Sequence, residues 1–359
     1  RNPMSSDPLS ASFDWTRDSW QRDVMQAAKL RGANVFEFFS NAPMWWMTSQ
    51  KSSHGGTLLA SRQRDFARYL AIVTRQAREV WGIPVTSVEL FNEPTAGWWT
   101  YPKGQEGCNI PAGDHKALLG YLREELNARA QNSVVIAASD ENTMEQARAV
   151  YDSYKTQFVP VQGVSTRVDA LVGKVNVHSY NGLEPWRDNA ARMRLRTSVG
   201  SKRVWVSEFG NGDGSGLTEA AVILEDMTHL RPTAWIYWQP LEASSAWGFS
   251  NAVFSDPGTP QRGTPTWTYW KHWTMAHFTN FIRPGDSILG SSHAASVVAY
   301  DAAARRLKIV TANLDASSAS LAWDLGDLAA LGTVATVRFS TPATGEHLFS
   351  ELQVPVTNK

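Results

Sequence analysis

The stretch Val85-Thr86-Ser87-Val88-Glu89-Leu90-Phe91-Asn92-Glu93-Pro94 decides the fold of this chain. Residues 85–91 are mostly apolar, which predicts a buried strand, and a carboxyl side chain, Glu93, follows directly after it. The segment before the strand predicts a helix, because one face of it is apolar at helical spacing: Phe66, Tyr69, Leu70, Val73, Ala77 and Val80. A helix followed by a buried strand is the repeating unit of parallel sheets.

The same alternation of helix and strand continues through most of the chain. Strands are predicted at residues 33–39, 85–91, 134–138, 174–177, 203–207 and 234–238. Further helices are predicted at residues 17–31, about 114–130 and 217–230. Apolar strands that alternate with helices indicate a parallel sheet covered on both faces, as in a TIM barrel or a doubly wound sheet. The sequence contains neither Gly-x-Gly-x-x-Gly nor Gly-x-x-x-x-Gly-Lys, which favours the (β/α)8 TIM barrel.

Six strands are predicted, whereas a closed barrel of this type has eight. Because the first recognisable element is a helix, we expect the first two βα units to lie upstream of Arg1. After about residue 284, short β-type runs separated by turn residues predict a small antiparallel β-sandwich. These runs are residues 295–300, 307–312, 319–323, 333–339 and 347–352. We therefore expect a barrel catalytic domain over residues 1–284 and a β-sandwich side domain over residues 285–359.

The composition limits the classes of ligand. The chain has 359 residues, and its 34 basic and 34 acidic residues cancel, so neither nucleic acid nor an anionic membrane is an expected partner and a neutral substrate fits best. The single cysteine, Cys108, excludes an intramolecular disulfide, and no Cys/His cluster has zinc-ligand spacing, so we expect no metal and no cofactor. No apolar run is long enough to span a bilayer, and the N-terminus lacks the apolar core of a signal peptide.

A second glutamate, Glu208 in Val204-Trp205-Val206-Ser207-Glu208-Phe209-Gly210, also follows an apolar strand. TIM-barrel enzymes carry their catalytic groups at the carboxyl ends of the strands. A retaining glycosidase needs two carboxyl groups about 5–5.5 Å apart, one as acid/base and one as nucleophile. Any one such glutamate is more often a solvated or ion-paired loop residue, and it is the two motifs together that favour catalysis. Sixteen tryptophans agree with a sugar substrate, although six of them stand in apolar contexts and suit a core better: Trp15, Trp20, Trp81, Trp205, Trp270 and Trp273.

The neighbours of the two glutamates suggest their roles. Asn92 can bond a sugar 2-hydroxyl, a contact that strengthens in the transition state, and this favours Glu93 as acid/base. Glu208 is then the nucleophile, with the Tyr180 hydroxyl as a candidate donor to it. Because two close carboxyls titrate as a pair, one proton is expected on the pair near neutral pH, and we place it on Glu93.

Five segments resemble glycoside hydrolase family 30, and within it the endo-β-1,6-galactanases. The segments are Glu37-Phe38-Phe39-Ser40-Asn41-Ala42-Pro43-Met44-Trp45-Trp46-Met47, Phe91-Asn92-Glu93-Pro94, His178-Ser179-Tyr180, Val206-Ser207-Glu208-Phe209-Gly210-Asn211-Gly212 and Trp235-Ile236-Tyr237-Trp238. The resemblance implies a barrel with the acid/base after strand four, the nucleophile after strand seven and a β annex beside the barrel. Strands one and two then belong upstream.

The resemblance also implies which residues bind the sugar. They are Asn41 and Trp46 after strand three, Asn92 beside the acid/base, Asp140 with Glu141 after strand five, His178 and Tyr180 after strand six, and Trp238 after strand eight. Aromatic faces of this kind pack on the C–H side of a pyranose. Other interpretations stay open: His178 as a hydrogen-bonded barrel residue, Asp140 and Glu141 as caps of the following helix, and Trp98, Trp99 and Tyr101 as a cover of the rim.

We therefore expect a secreted, monomeric, retaining endo-glycosidase that cleaves β-1,6-galactosidic linkages in the side chains of arabinogalactan. Other specificities of the same family are alternatives, namely β-1,6-glucanase, xylanase, or a β-glucosidase that resembles a glucosylceramidase. An alternative from a different class is a carbohydrate-binding protein without catalytic activity. The sequence does not decide between sugars, because an axial and an equatorial hydroxyl differ only in where one hydrogen-bond partner lies in space.

Overall fold

The structure is a computed structural model that describes residues 13–17, 19–180, 188–243, 245–253, 264–315, 317–325, 332–341 and 347–356. The chain divides into two compact units. The first unit comprises Arg1–Glu208 and Leu230–Ile236, and the second comprises Phe209–His229 and Tyr237–Lys359. The helices are α1 Ser19–Leu30, α2 Gln63–Glu79, α3 Ala112–Asn127, α4 Met144–Tyr154, α5 Val168–Leu171, α6 Asn189–Val199, α7 Leu217–Glu225 and α8 Trp270–Thr279.

The strands up to Tyr237 form one main sheet and two small ribbons. They are β1 Phe36–Phe39, β2 His54–Thr57, β3 Val85–Glu89, β4 Gly107–Asn109, β5 Val135–Glu141, β6 Phe158–Val161, β7 Val164–Arg167, β8 Val172–His178, β9 Arg203–Phe209 and β10 Ala234–Tyr237. Within the described residues the main sheet has the order β1-β3-β5-β8-β9-β10. The neighbouring pairs from β1 to β9 are parallel, which confirms the mixed α/β class with a parallel sheet.

The main sheet is curled. In a flat sheet, β1 and β8 would lie three strand spacings apart, roughly 14 Å. Their side chains nevertheless meet, because the amide of Asn176 on β8 donates to Oε1 of Glu37 on β1 at 2.7 Å. Lys174, on the same face of β8, forms an ion pair with Glu37. The concave face of the sheet therefore holds a buried polar layer, while the opposite face packs on helices.

The helices bury the outer face of the sheet through apolar stripes. On α2 the buried positions include Phe66, Leu70 and Ala77, which matches the helical spacing of its apolar residues. Ala77, Ile83 and Val85 form a core cluster at the start of β3. The parallel strands from β1 to β9 run in the same direction, so their carboxyl ends lie together at one edge of the sheet. The carboxyl ends of β1, β3, β5, β8 and β9 share that edge.

The second unit contains the remaining strands. They are β11 Leu241–Glu242, β12 Ser250–Val253, β13 Thr264–Thr268, β14 Ser287–Leu289, β15 Ser296–Asp301, β16 Arg306–Thr311, β17 Val334–Thr341 and β18 His347–Pro355. The β14, β15 and β16 strands pair antiparallel in one sheet, and β17 pairs antiparallel with β18. The α8 helix packs on the β17–β18 hairpin, where the His277 imidazole lies 4.8 Å from the Phe349 ring, measured between centroids.

The predicted elements agree with the structure in type, with two exceptions. The predicted strand at residues 319–323 is wrong, because residues 317–325 form no strand. Ala319, Ser320, Leu321 and Ala322 are all exposed, so a strand there would bury no apolar face. The predicted helix at residues 217–230 is α7 followed by a π-helical turn at Asp226–Leu230.

None of the helices in the described part of the chain combines the length and the apolar character that crossing a bilayer requires.

Candidate active site

Glu93 lies just beyond β3 in a strained backbone conformation. Its φ is 48°, in the left-handed region that residues other than glycine rarely adopt. Two hydrogen bonds hold this conformation: the Glu93 N–H donates to the carbonyl of Asp140 at 2.8 Å, and the Trp99 indole N–H donates to the carbonyl of Glu93 at 2.8 Å. Backbone strain of this kind persists only where its surroundings enforce it, and it is common at functional sites.

Glu208 lies near the end of β9, directly opposite His178 of β8 in the strand register. The Tyr180 hydroxyl donates to Oε1 of Glu208 at 3.2 Å, as the sequence predicts. The N–H of Ser179 donates to the carbonyl of Glu208 at 3.0 Å, which extends the ladder by one bond beyond the end of β8. Both the main chain and the carboxylate of Glu208 are thus held by the segment that follows β8.

His178 connects the two glutamates. Its Nδ1 lies 3.1 Å from Oε1 of Glu93 and 3.6 Å from Oε1 of Glu208. One oxygen from each glutamate and one nitrogen of His178 all lie within 4.8 Å of one another. The curled sheet therefore brings the two predicted catalytic glutamates face to face.

Asn142 belongs to the site, and the sequence did not point to it. Its amide donates to Oε1 of Glu93 at 2.6 Å. The signal was present, because Asn142 directly follows β5, and the carboxyl ends of parallel strands are where such a fold carries its functional side chains. Asn92 is buried, and its side-chain oxygen has no hydrogen-bond partner among the described residues.

Asp140 and Glu141, at the end of β5, do not cap the next helix, because the Thr143 side chain caps α4 by accepting from the N–H of Gln146. Asp140 contacts His178 instead, with Oδ2 3.3 Å from Nε2. Glu141 points away from the pair and accepts a 2.6 Å hydrogen bond from the Thr95 hydroxyl. Burial raises the pKa of Glu141 to about 7.

Burial and mutual charge shift the pKa values of the central groups. Burial raises the pKa of Glu208 to about 7; the His178 charge opposes this rise, and the charges of Asp140 and Glu93 add to it. Burial lowers the pKa of His178, but the charges of Asp140 and Glu208 outweigh burial and raise it well above its usual value. The sequence placed the shared proton on Glu93. That placement stays a prediction; the Glu93 carboxyl group accepts a hydrogen bond from the Asn142 amide and lies within hydrogen-bond distance of Nδ1 of His178.

The other predicted sugar-binding residues lie at strand ends. Asn41 and Trp46 follow β1, at the edge of the sheet where Glu93 follows β3. The guanidinium of Arg62 lies over the Trp46 ring, 5.2 Å from its centroid. Trp238 directly follows β10 and is half-buried, and its N–H donates to the carbonyl of Phe209 at 2.8 Å within the second unit.

In this site both imidazole nitrogens of His178 face carboxylate oxygens. The charges of Asp140 and Glu208 raise the pKa of His178, which favours the imidazolium, and an imidazolium carries a hydrogen on both nitrogens and has no lone pair for an ion. The contacts therefore suit the sharing of protons between acids and a histidine.

Trp99 is buried, and Gly107 on β4 makes room for its ring. A Cβ at position 107 would lie 2.1 Å from the ring atom Cζ3. We expect Gly107→Ala to displace Trp99, break its bond to the carbonyl of Glu93 and lower stability by about 1–3 kcal/mol. Chemical denaturation measures this loss. Gly104→Ala is the matched control, since a Cβ there meets no atom within 4 Å; equal stabilities of the two variants would contradict the prediction.

Two glutamates held face to face at the carboxyl edge of a curled parallel sheet are the arrangement of an O-glycosyl hydrolase, an enzyme that cleaves glycosidic bonds. Residues 8–253 match the family model "O-Glycosyl hydrolase family 30". The chain belongs to glycoside hydrolase family 30, and its substrate is a carbohydrate.

The chain is 37% identical over 352 residues to an endo-beta-1,6-galactanase of Hypocrea rufa, an alignment that covers 95% of this chain and 68% of that protein. Its fold is similar to that of a conserved exported protein from Bacteroides fragilis, with a TM-score of 0.74 and 21% identity over 97% of this chain and 80% of the other. It is also similar to the catalytic domain of the family 30 xylanase C from Talaromyces cellulolyticus, with a TM-score of 0.60 and 18% identity over 83% of this chain and 68% of the other.

Proposed function

We propose that the chain hydrolyses β-1,6-galactosidic linkages inside galactan chains, with net retention of the anomeric configuration. The observation that carries the mechanism is the separation of the two glutamates: one carboxyl oxygen of Glu93 lies within 4.8 Å of one carboxyl oxygen of Glu208. Retaining enzymes hold their carboxyl groups about 5–5.5 Å apart, whereas inverting enzymes leave about 6.5–9.5 Å for a water between them. The short separation supports direct attack by one carboxylate on the sugar.

In the first step, Glu93 gives its proton to the departing glycosidic oxygen while an oxygen of Glu208 attacks the anomeric carbon. The bond from this carbon to the departing oxygen breaks, and an ester bond to Glu208 forms. In the second step, Glu93 takes a proton from water, the hydroxide oxygen bonds to the anomeric carbon, and Glu208 leaves as a carboxylate. Each turnover consumes one water and returns both glutamates to their initial states.

This mechanism requires the proton to lie on Glu93 when the bond breaks. In the free site burial raises the pKa of Glu208 to about 7. Positive charge that develops at the anomeric carbon stabilises the adjacent carboxylate, so the Glu208 pKa falls as the substrate approaches the transition state. We therefore place the proton on Glu93 when the bond to the departing oxygen breaks.

We assign sugar contacts to the predicted residues Asn41, Trp46, Asn92 and Tyr180, which follow strands of the first unit, and, from the family resemblance alone, to Trp238. Asn92 has the strongest support, because a buried acceptor without a protein partner is unfavourable until a ligand hydroxyl donates to it. We assign His178 and Asp140 to holding the carboxyl groups, since both are almost fully buried.

The galactan linkage is supported by the name of the Hypocrea rufa relative, at 37% identity over 95% of this chain. The decisive experiment is to digest β-1,6-galactan, β-1,6-glucan and xylan and to follow the products by chromatography and proton NMR. We expect galacto-oligosaccharides of mixed length that first appear as the β-anomer. Cleavage of glucan or xylan alone would select another family specificity, a first product of α configuration would exclude retention, and binding without products would identify a non-catalytic carbohydrate-binding protein.

We propose that the six-stranded sheet is part of a (β/α)8 barrel that two further βα units complete. In the described residues β1 and β10 stand at the two ends of the sheet, and α1 buries none of its residues. Two more units between β1 and β10 would cover this surface. An experimental structure of the natural protein in which β1 pairs directly with β10 would refute the proposal.

We further propose that residues 1–284 act as the catalytic domain and residues 285–359 as a β-sandwich side domain. The antiparallel pairings of β14 to β18 support the sandwich.

Because galactan is an extracellular polymer, we propose that the protein is secreted and acts as a monomer. Activity in the culture medium would agree with secretion, and activity confined to cells would contradict it. A sedimentation coefficient that corresponds to one chain would agree with a monomer.

The raised pKa of Glu208 predicts an alkaline limit of activity near pH 7. A group with a raised pKa keeps its proton up to that value, and above it the pair loses the one proton that the departing oxygen needs. We expect kcat/KM to fall about tenfold for each pH unit above the limit. Initial rates between pH 4 and 9, together with a check of folding by circular dichroism, test this; a constant kcat/KM up to pH 9 would show that no such proton is required.

A further inference from the structure

We infer that Asp140 is a positioning residue that holds His178 between the two glutamates and does not bind sugar. The inference rests on the proposed function, because it assigns a role within the same site. The family resemblance implies that Asp140 binds sugar, and the inference replaces that role with a positioning role. The contacts of its side chain, the contact of its main chain, and its burial carry the inference independently.

The side chain of Asp140 is fully engaged by protein groups. Its Oδ2 lies 3.3 Å from Nε2 of His178, and its Oδ1 accepts a 2.5 Å hydrogen bond from the Ser207 hydroxyl. Only 3% of the residue is exposed. A sugar hydroxyl would have to displace one of these partners in order to reach the carboxylate, so direct binding is unfavourable.

The contact with Asp140 determines what His178 offers to the glutamates. With Nε2 bound to Asp140, the ring plane is set and Nδ1 points between Glu93 and Glu208, at 3.1 Å and 3.6 Å from their Oε1 atoms. Only the imidazolium form carries a hydrogen on both nitrogens. Asp140 therefore stabilises a charged donor that both glutamates can use, as carboxylates that orient histidines do in other sites.

The main chain of Asp140 acts on Glu93 directly. The carbonyl of Asp140 accepts the N–H of Glu93 at 2.8 Å, and both residues have left-handed φ angles, 56° and 48°. One residue at the end of β5 thus fixes the acid/base through its backbone and the shared histidine through its side chain. A residue that only bound substrate would not need both contacts.

The other charged groups around His178 do not replace Asp140. The imidazole faces Glu93 from β3 and Glu208 from β9, with the Tyr180 hydroxyl on Glu208 and the carboxylate of Glu141 further along β5. Glu89 and Lys174 act on Asp140 from the polar layer below. Of these groups, Asp140 alone is placed against Nε2.

The test uses Asp140→Asn, which keeps the shape of the side chain and removes its charge. We expect kcat to fall about 10–100-fold, the size seen when the partner of an oriented histidine is removed, while KM stays within about threefold. Nitrogen-15 NMR of histidine-labelled protein reports the charge of His178 directly, and the signal is assigned by its loss in His178→Asn. At pH 8 we expect an imidazolium in the unmodified protein and a neutral ring in Asp140→Asn.

Asp169→Asn is the matched control, because Asp169 is also buried and ion-paired, to Arg167, but lies on α5 before the start of β8, whereas His178 is the last residue of β8. It should leave the His178 signal and kcat unchanged.

If Asp140→Asn does not fold, Ser207→Ala loosens the same carboxylate and should lower kcat about threefold at constant KM. A tenfold rise in KM at constant kcat, or an imidazolium that persists in Asp140→Asn, would overturn the inference. Absence of hydrolysis by the unmodified protein would instead refute the proposed function, and NMR would still decide the role of Asp140.

Discussion

Replacing either glutamate of the pair by glutamine is expected to abolish hydrolysis of galactan. Glu93→Gln removes the proton donor, so kcat should fall about 10²–10⁴-fold. Glu208→Gln removes the nucleophile, and the loss should reach about 10⁴-fold or more. Glutamine keeps the size of each side chain, so the thermal unfolding midpoint should change little. Reducing-sugar assays and calorimetry measure the two effects.

Small-residue variants separate the two roles. Azide should restore turnover of an activated galactoside by Glu208→Gly with an α-galactosyl azide as product, because azide attacks from the face that the nucleophile vacates. Glu93→Gly should give the β-azide, since the covalent intermediate still forms. Glu145→Gln, on the exposed first turn of α4, is the control and should keep full activity. Near-normal turnover by Glu93→Gln or Glu208→Gln would refute the assignment of the pair.

The second large effect is expected on stability, from Lys174→Met. Lys174 is 1% exposed on the concave face of the sheet, where its ammonium forms an ion pair with Glu37 and lies 3.0 Å from the centroid of the Trp205 ring. Removing one partner of a buried pair leaves the other charge uncompensated, so we expect a loss of about 3–5 kcal/mol in the free energy of unfolding. Urea denaturation measures it as a lower midpoint.

Two further variants show whether the charge is the cause. Arg75→Met breaks an exposed pair with Glu79, whose N···O distance is 2.7 Å, and should cost less than about 1 kcal/mol. The double variant Lys174→Met with Glu37→Leu removes both charges, and it should be more stable than Lys174→Met alone. A loss below about 1 kcal/mol for Lys174→Met would show that the polar layer does not need its positive charge.

The pattern of apolar residues was sufficient to predict the main sheet. Four of residues 85–91 are apolar, namely Val85, Val88, Leu90 and Phe91, so their strand could be recognised without knowledge of its neighbours. The first predicted strand began three residues early, because Ala33, Asn34 and Val35 lie in an exposed connection before β1. The run at 319–323 failed for the opposite reason: it has the composition of a strand but no apolar face to bury.

The site could be predicted only in part. Glu93 and Glu208 could be found because each stands after an apolar run, and such a position can be recognised from the sequence alone. The contacts of Asn142 and Trp99 with Glu93 could not, since they depend on which neighbouring loop reaches the end of β3. The pKa of Glu208 also depends on a balance of burial against the neighbouring charges of His178, Asp140 and Glu93, which come from other strands and loops.

The left-handed backbone at Glu93 and Asp140 also limits what laboratory evolution can select there. Valine, isoleucine and threonine are disfavoured at such angles whatever their side chains would contact, whereas glycine, asparagine and aspartate are tolerated. A randomised library at these two codons would therefore return a narrow set of folded members even without any screen for catalysis. Attempts to change substrate preference have a wider choice at Asn41 and Trp46, whose conformations carry no such restriction.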